Sequence, residues 1–194
     1  MIARLIDLIS LSIREPAALL AALRRMGMGP RESWQAIIFA AAAGAILSWM
    51  VLRIVADGEI GAMGQIAAQP MVMAALQVGA AALFATLATR VGRLFGGTGR
   101  FEDALLATAF IEVSMLAVQV PQLLLSLLLP VFGSILSMLA FGLYFLMAVQ
   151  LIRAIHGFRN PLLVALGMLG TVFVAGFVLS LLAASLGILP EVPA

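Results

Sequence analysis

Glu112 is the one acidic side chain of this sequence that sits well inside a candidate membrane span. It lies nine residues beyond Asp103, which in a helix is roughly 13 Å of axial rise and so near mid-bilayer if the helix spans a membrane. A carboxylate at that depth costs about 2.5–3.5 kcal/mol on insertion scales, and such a residue marks a proton path, a substrate site or a polar helix contact. Thr108 precedes it by four residues and Gln119 follows one heptad later, so Thr108, Glu112 and Gln119 form a candidate polar face. Gln77 and Gln150, in other apolar stretches, are candidates to complete a buried network. Two chemistries fit this face: proton coupling or headgroup contact, and a protonated Glu hydrogen-bonded to an amide that holds two helices together.

Other chemistry is scarce. There is no Cys, and His156 is the single His, so thiolate and multi-histidine metal sites within one chain are excluded. No Ser–His–Asp set and no spaced carboxylate pair is present, so the chain is not read as an enzyme, and no catalytic residue, metal or cofactor is expected. In FGGTGRFEDAL, residues 95–105, Gly96, Gly97 and Gly99 look superficially like a phosphate cradle. No strand precedes them and no Lys follows, so nucleotide binding is not expected. Thr98 is instead read as an N-cap, with Glu102 and Asp103 in the first helical turn, where carboxylates suit the helix dipole. His156, in IRAIHGFRN, is read either as a pH sensor or as a hydrogen-bonding loop residue.

The elements that must position these groups follow from composition. Of 194 residues, 64% are hydrophobic and 10% charged, and the mean hydropathy is +1.18. A soluble globule of this size cannot hide so much apolar surface, which excludes a soluble enzyme, a nucleic-acid binder and a disordered tail. The eleven basic residues are all Arg, and with the Ala, Gly, Leu and Val excess they point to a GC-rich bacterial genome. The pI near 10.4 accompanies a net charge of only +2, and no nucleic-acid partner is expected.

Uncharged stretches at 33–52, 60–89, 113–152 and 160–190 organise the chain. The third, at 40 residues, is roughly 60 Å as helix, twice the hydrocarbon thickness, and must fold back at Pro130 and Gly133. The expected fold is therefore all-α, an integral membrane bundle of five transmembrane helices. Its spans run about 33–54, 70–89, 103–129, 134–153 and 161–189, within a domain of residues 31–194. Ten arginines flank the spans on one side and only Arg53 lies on the other. The positive-inside rule then makes the N-terminus cytoplasmic and leaves Glu191 and Ala194 outside. Trp34 and Trp49, roughly 22 Å apart along the first span, suit the two interfacial belts.

Residues 1–30 form an amphipathic segment. Ile2, Leu5, Ile6, Ile9 and Ile13 recur at helical spacing, and Leu19, Leu20, Leu23 and Met26 repeat the pattern after Pro16 until Gly27 stops it. These are read as interfacial helices on the cytoplasmic leaflet, although docking against the bundle requires the same pattern. Arg24, Arg25, Arg153 and Arg159 are read as contacts to lipid phosphates. Small-residue stripes at Ala40–Gly44–Ser48, Ala81–Ala85–Thr89 and Gly176–Ser180–Ala184 predict that spans one, two and five make the close-packed centre. The bulky LLLSLLL run at 123–129 is expected to face lipid, and Pro121 to distort its helix.

Two loops carry a family resemblance. FGGTGRFEDALLATAF resembles the entry to the third span in the Yip (Ypt-interacting-protein) domain family of multi-pass membrane proteins, and AVQLIRAIHGFRNPLLVAL resembles the connection between spans four and five in its bacterial members. The resemblance, over roughly residues 14–189, implies five spans with the N-terminus inside. It marks Gly96, Gly97, Gly99, Phe101, His156 and Gly157 as motif positions without an assigned role. The resemblance implies that eukaryotic members carry a long cytosolic N-terminal region and act in early secretory traffic with Rab-type GTPases. This chain has about 33 residues before its first span and lacks their Asp-Leu-Tyr-Gly-Pro segment. It also carries Ala109-Phe110 where they show Gly-Tyr, which weighs against a Rab-type partner. The expected function is a non-catalytic protein of the bacterial inner membrane that organises lipid or recruits partners. The alternative is a small transporter, channel or lipid-moving protein using Glu112, which with five spans would need a homo-oligomer.

Overall fold

Proline punctuates this chain. Pro16, Pro30, Pro70, Pro130 and Pro161 each stand at the first position of a helix, where the missing N–H has no intrahelical partner to lose and the fixed φ already suits the helix. In a computed structural model, residues 2–55 and 68–185 are described, and they form seven helices. These are α1 (Ile2–Arg14), α2 (Pro16–Arg25), α3 (Pro30–Val55), α4 (Pro70–Leu94), α5 (Phe101–Leu128), α6 (Pro130–His156) and α7 (Pro161–Ser185). The segment between the first two expected spans, around Gly61, Gly64 and Gln65, and the chain end at Glu191 and Ala194, lie outside the described residues.

The last five helices are long and apolar enough to cross a membrane, in agreement with the expected all-α, five-span bundle. They run up and down, so that the start of α3, the end of α4, the start of α5, the end of α6 and the start of α7 meet at one arginine-rich end. Only Leu129 separates α5 from α6. Gly133 lies within the first turn of α6 rather than in the reversal itself, and a Cβ there would collide with Ser126 on α5. Helix α5 continues through Pro121, which removes the N–H that would bond the Ala117 carbonyl. At the start of α3, Glu32 accepts the Gly29 N–H at 3.0 Å, which meets one orphan donor of the helix start, and the Ser33 hydroxyl donates to the Gly29 carbonyl at 2.8 Å.

The centre is not where the small-residue stripes point. Half of the apolar window of α5 is buried, against 6% for α7. One core joins Ile37 of α3 and Ala81 and Ala85 of α4 to Ala104, Leu105 and Ala109 of α5. The packing of spans one and two is thus as expected, but the third span replaces the fifth as their partner. Along α5, Ala104, Leu105 and Ala109 pack toward α3 and α4, while Leu106, Ala107, Phe110 and Ile111 pack toward α2 and α6. Among the described residues nothing approaches a Cβ built on Gly176, so that small residue serves no close contact with another described helix.

Helix α2 is docked. Leu19, Leu20 and Leu23 are buried among Leu106, Phe110 and Ile111 of α5 and Met147 and Leu151 of α6. Leu8, Ile9, Leu11 and Ile13 of α1 pack on the same cluster, whereas Ile6 stays 60% exposed. The amphipathic stripe read as interfacial is therefore covered in large part by protein. Arg24 pairs with Asp103 at the start of α5 and ties α2 to the bundle.

Candidate functional site

The polar groups of the spans form two separate contacts. On α5, Glu112 accepts a hydrogen bond from the Gln77 amide of α4 at 2.9 Å. One heptad on, the Gln119 amide donates to the Gly44 carbonyl at 3.2 Å and to the Ser48 hydroxyl at 2.9 Å, both on α3. A Cβ on Gly44 would stand 2.9 Å from the Gln119 carbonyl oxygen, so the Gln119 side chain would have to shift. Thr108 is buried and its hydroxyl donates to the Ala104 carbonyl of its own helix at 2.8 Å, so it takes no part in a shared polar face. Gln150 does not join either: its Oε1 is buried with no partner. A cleft of about 190 Å³ runs between α3, α4 and α5, lined by Gly44, Ser48, Met73, Gln77 and Gln119. Glu112 lies behind Gln77 rather than on the cleft wall.

The two motif loops meet at His156. The Gly99 N–H donates to Nδ1 at 3.1 Å, so Nδ1 must hold a lone pair. Nε2 then carries the proton and donates to the Ala88 carbonyl of α4 at 3.0 Å. The ring stacks on Phe158, with centroids 5.4 Å apart and planes at 16°. Gly92, Gly97 and Gly99 surround it so closely that a Cβ on any of the three would overlap the imidazole. Arg93 donates to the Gly99 carbonyl at 2.9 Å and fixes the loop from its other side. One ring thus joins the end of α4, the loop before α5 and the end of α6. Of its two expected roles, loop hydrogen bonding is the one the geometry displays.

The remaining motif residues shape the chain rather than the ring. Gly96, at φ +84, closes α4: its N–H bonds Arg93 and that of Gly97 bonds Gly92, the paired bonds of a Schellman ending. Gly157, at φ +72, ends α6 in the same left-handed conformation, where a side chain would be strained. Phe101 opens α5 and is partly exposed. Thr98 is not the N-cap. That position falls to Arg100, without a side-chain cap, because Gly99 is drawn to His156 and the helix starts two residues later than a Thr98 cap would set it. Arg100 pairs instead with Glu102 at 2.9 Å.

Of the arginines read as phosphate contacts, Arg24 has its protein partner Asp103, and Arg25 donates to the Ala21 carbonyl at 3.3 Å. Arg153 sits in the last turn of α6. Arg159 lines a groove of about 570 Å³ between α4 and α7. Sequence reasoning found Arg159 but missed the groove. Its walls are ordinary apolar residues on two helices far apart in the chain, which leave no local signal.

With this geometry in hand, comparison with known families matches residues 11–182 to the Yip1 domain. The match spans most of the chain, and the chain belongs to the Yip1-domain family. It is the family that the two loops pointed to. No curated protein and no solved structure matches the chain.

Proposed function

We propose that this Yip1-domain protein is a non-catalytic, multi-pass protein of the bacterial inner membrane that organises lipid or recruits partners. Its N-terminus lies in the cytoplasm and its C-terminus outside. The observation that supports this reading is where the polar chemistry goes. Glu112 and Gln119 are engaged by Gln77, Gly44 and Ser48, while the groove of about 570 Å³ between α4 and α7 is lined mostly by apolar residues. A carboxylate held by an amide from the next helix acts as a clamp between spans. The topology rests on ten arginines at one end of the bundle against Arg53 at the other.

Reconstitution into phosphatidylglycerol–phosphatidylethanolamine vesicles tests this. The expected result is a protein-dependent motionally restricted lipid fraction by spin-label spectroscopy, with no proton or solute flux and no lipid scrambling. Flux or scrambling that disappears in Glu112→Gln would overturn it. Partner or lipid-surface effects of the N-terminal segment are read with Ile6→Glu and Met26→Glu, both exposed. Removing residues 1–28 would strip Leu19, Leu20 and Leu23 from the core and so would report on folding.

The cleft beside Gln77 and Gln119 favours a second reading, a homo-oligomeric transporter or lipid-moving protein that passes a polar group along these amides. The same flux assay decides between the two.

A further inference from the structure

The groove between α4 and α7 has a direction. Phe95, Phe158, Arg159 and Asn160 line it at the arginine-rich end; Phe84 and Val172 lie at its far end. From Phe95 to Phe84 on one wall, and from Asn160 to Val172 on the other, the helices rise roughly 16–18 Å. That is the depth of one leaflet, half of a hydrocarbon core of about 30 Å. The polar groups along the way are satisfied within the chain. The Thr171 hydroxyl donates to the Gly167 carbonyl at 2.7 Å, and Asn160 Oδ1 accepts the Leu162 N–H at 2.9 Å. Arg159 is exposed and forms no ion pair among the described residues. Its volume, about 570 Å³, falls within the usual range for a small-molecule site, about 300–1,000 Å³.

From this we infer that the groove is a binding site for one phospholipid of the leaflet at the arginine-rich end. One acyl chain lies between α4 and α7, and the phosphate sits on the Arg159 guanidinium. Charge argues against a second copy of this chain as the occupant. Copies inserted with the same orientation carry ten arginines at the same level, and each would bring its Arg159 to the other's. A phosphate supplies the opposite charge, and a guanidinium offers forked donors to it. Gly167 lines the groove, and nothing lies within 4 Å of a Cβ built there, so the space beside it is open for a chain to occupy. The inference rests on the membrane-embedded reading above. Its test reads lipid occupancy rather than flux, so either can fail without the other.

The full-length protein, delipidated in detergent and titrated with phosphatidylglycerol, is followed by native mass spectrometry. One retained phospholipid per chain is expected. Gly167→Leu, which fills the groove, should abolish that adduct. Gly176→Leu, on the same helix with nothing near its Cβ and away from the groove, should leave it intact. Arg159→Gln should weaken binding about five-fold, the effect of one basic residue at a lipid surface. Diacylglycerol, which lacks the phosphate, should bind the parent protein no better than phosphatidylglycerol binds Arg159→Gln. Thermal unfolding in the same detergent checks that each variant is folded. Val91→Trp, plugging the groove from α4, replaces Gly167→Leu if that variant is not. Equal adducts in the groove-filling variants and Gly176→Leu would overturn the site. Equal binding by Arg159→Gln and the parent would overturn the phosphate contact. A dimer mass that Gly167→Leu removes, without a lipid adduct, would assign the groove to a second copy.

Discussion

The two ends of this bundle are packed in opposite ways. At the arginine-rich end, Ala104 to Ile111 of α5 are buried without interruption, and Met147, Ala148, Leu151 and His156 face them from α6. At the other end, the same two helices expose Leu124, Leu128, Val131, Phe132, Met138 and Phe141. The difference is that the first is closed by short-range, directional contacts: a His ring among glycines, an ion pair between α2 and α5, and α2 itself laid over the α5–α6 seam. In a bilayer, apolar surface gains nothing by leaving lipid for protein, so helices close up only where small residues or polar groups hold them. The far ends of α5, α6 and α7 offer few such holds.

The largest effect that can break this comparison is at α2. Leu19 is fully buried, and Leu19→Ala should cost about 2–5 kcal/mol in thermal or denaturant unfolding. A change at Ile6, 60% exposed, should be near neutral; equal effects would return the segment to a purely interfacial role. Next comes the cage. Gly92→Ala places a methyl on the His156 ring and should destabilise by about 1–3 kcal/mol. His156→Leu, which leaves the Gly99 N–H without its acceptor, should fall in a similar range. The intramembrane clamp is weaker. Gln77→Ala should cost about 0.6 kcal/mol and no more than about 1.7, the span of hydrogen bonds measured between membrane helices. Smallest of all, Gly176→Leu and Leu139→Ala at the open end should stay within about 0.5 kcal/mol. A large loss at Gly176 would show that α7 is packed more tightly than its open surface indicates.

Much of the architecture was legible because the bilayer imposes it. Forty uncharged residues must turn back, and Pro130 opens the second limb, because hydrocarbon thickness admits no longer helix. The amide partner of Glu112 was legible to the extent that Gln77 was among two candidates; choosing it over Gln150 needed helix rotations that no local pattern carries. Stripes of small residues misled in one case. Gly44 does sit against Gln119, but Gly176 sits against nothing, and spacing alone cannot tell a packed small residue from an idle one. Thr98 misled for a related reason: a long-range hydrogen bond from Gly99 to His156 overrides the local capping preference.

What the sequence by itself determined is the set of properties that depend on local chemistry. These are the apolar lengths that make five spans, the arginines gathered at one end, the prolines that start helices and the glycines that end them. Tertiary structure alone decided which helix is central, where α2 lies, and that His156 lies among Gly92, Gly97 and Gly99 while Arg159 guards a groove. Those outcomes depend on which faces of separate helices meet. Between helices surrounded by lipid, that choice rests on small differences in packing and hydrogen bonding rather than on any large difference in hydropathy.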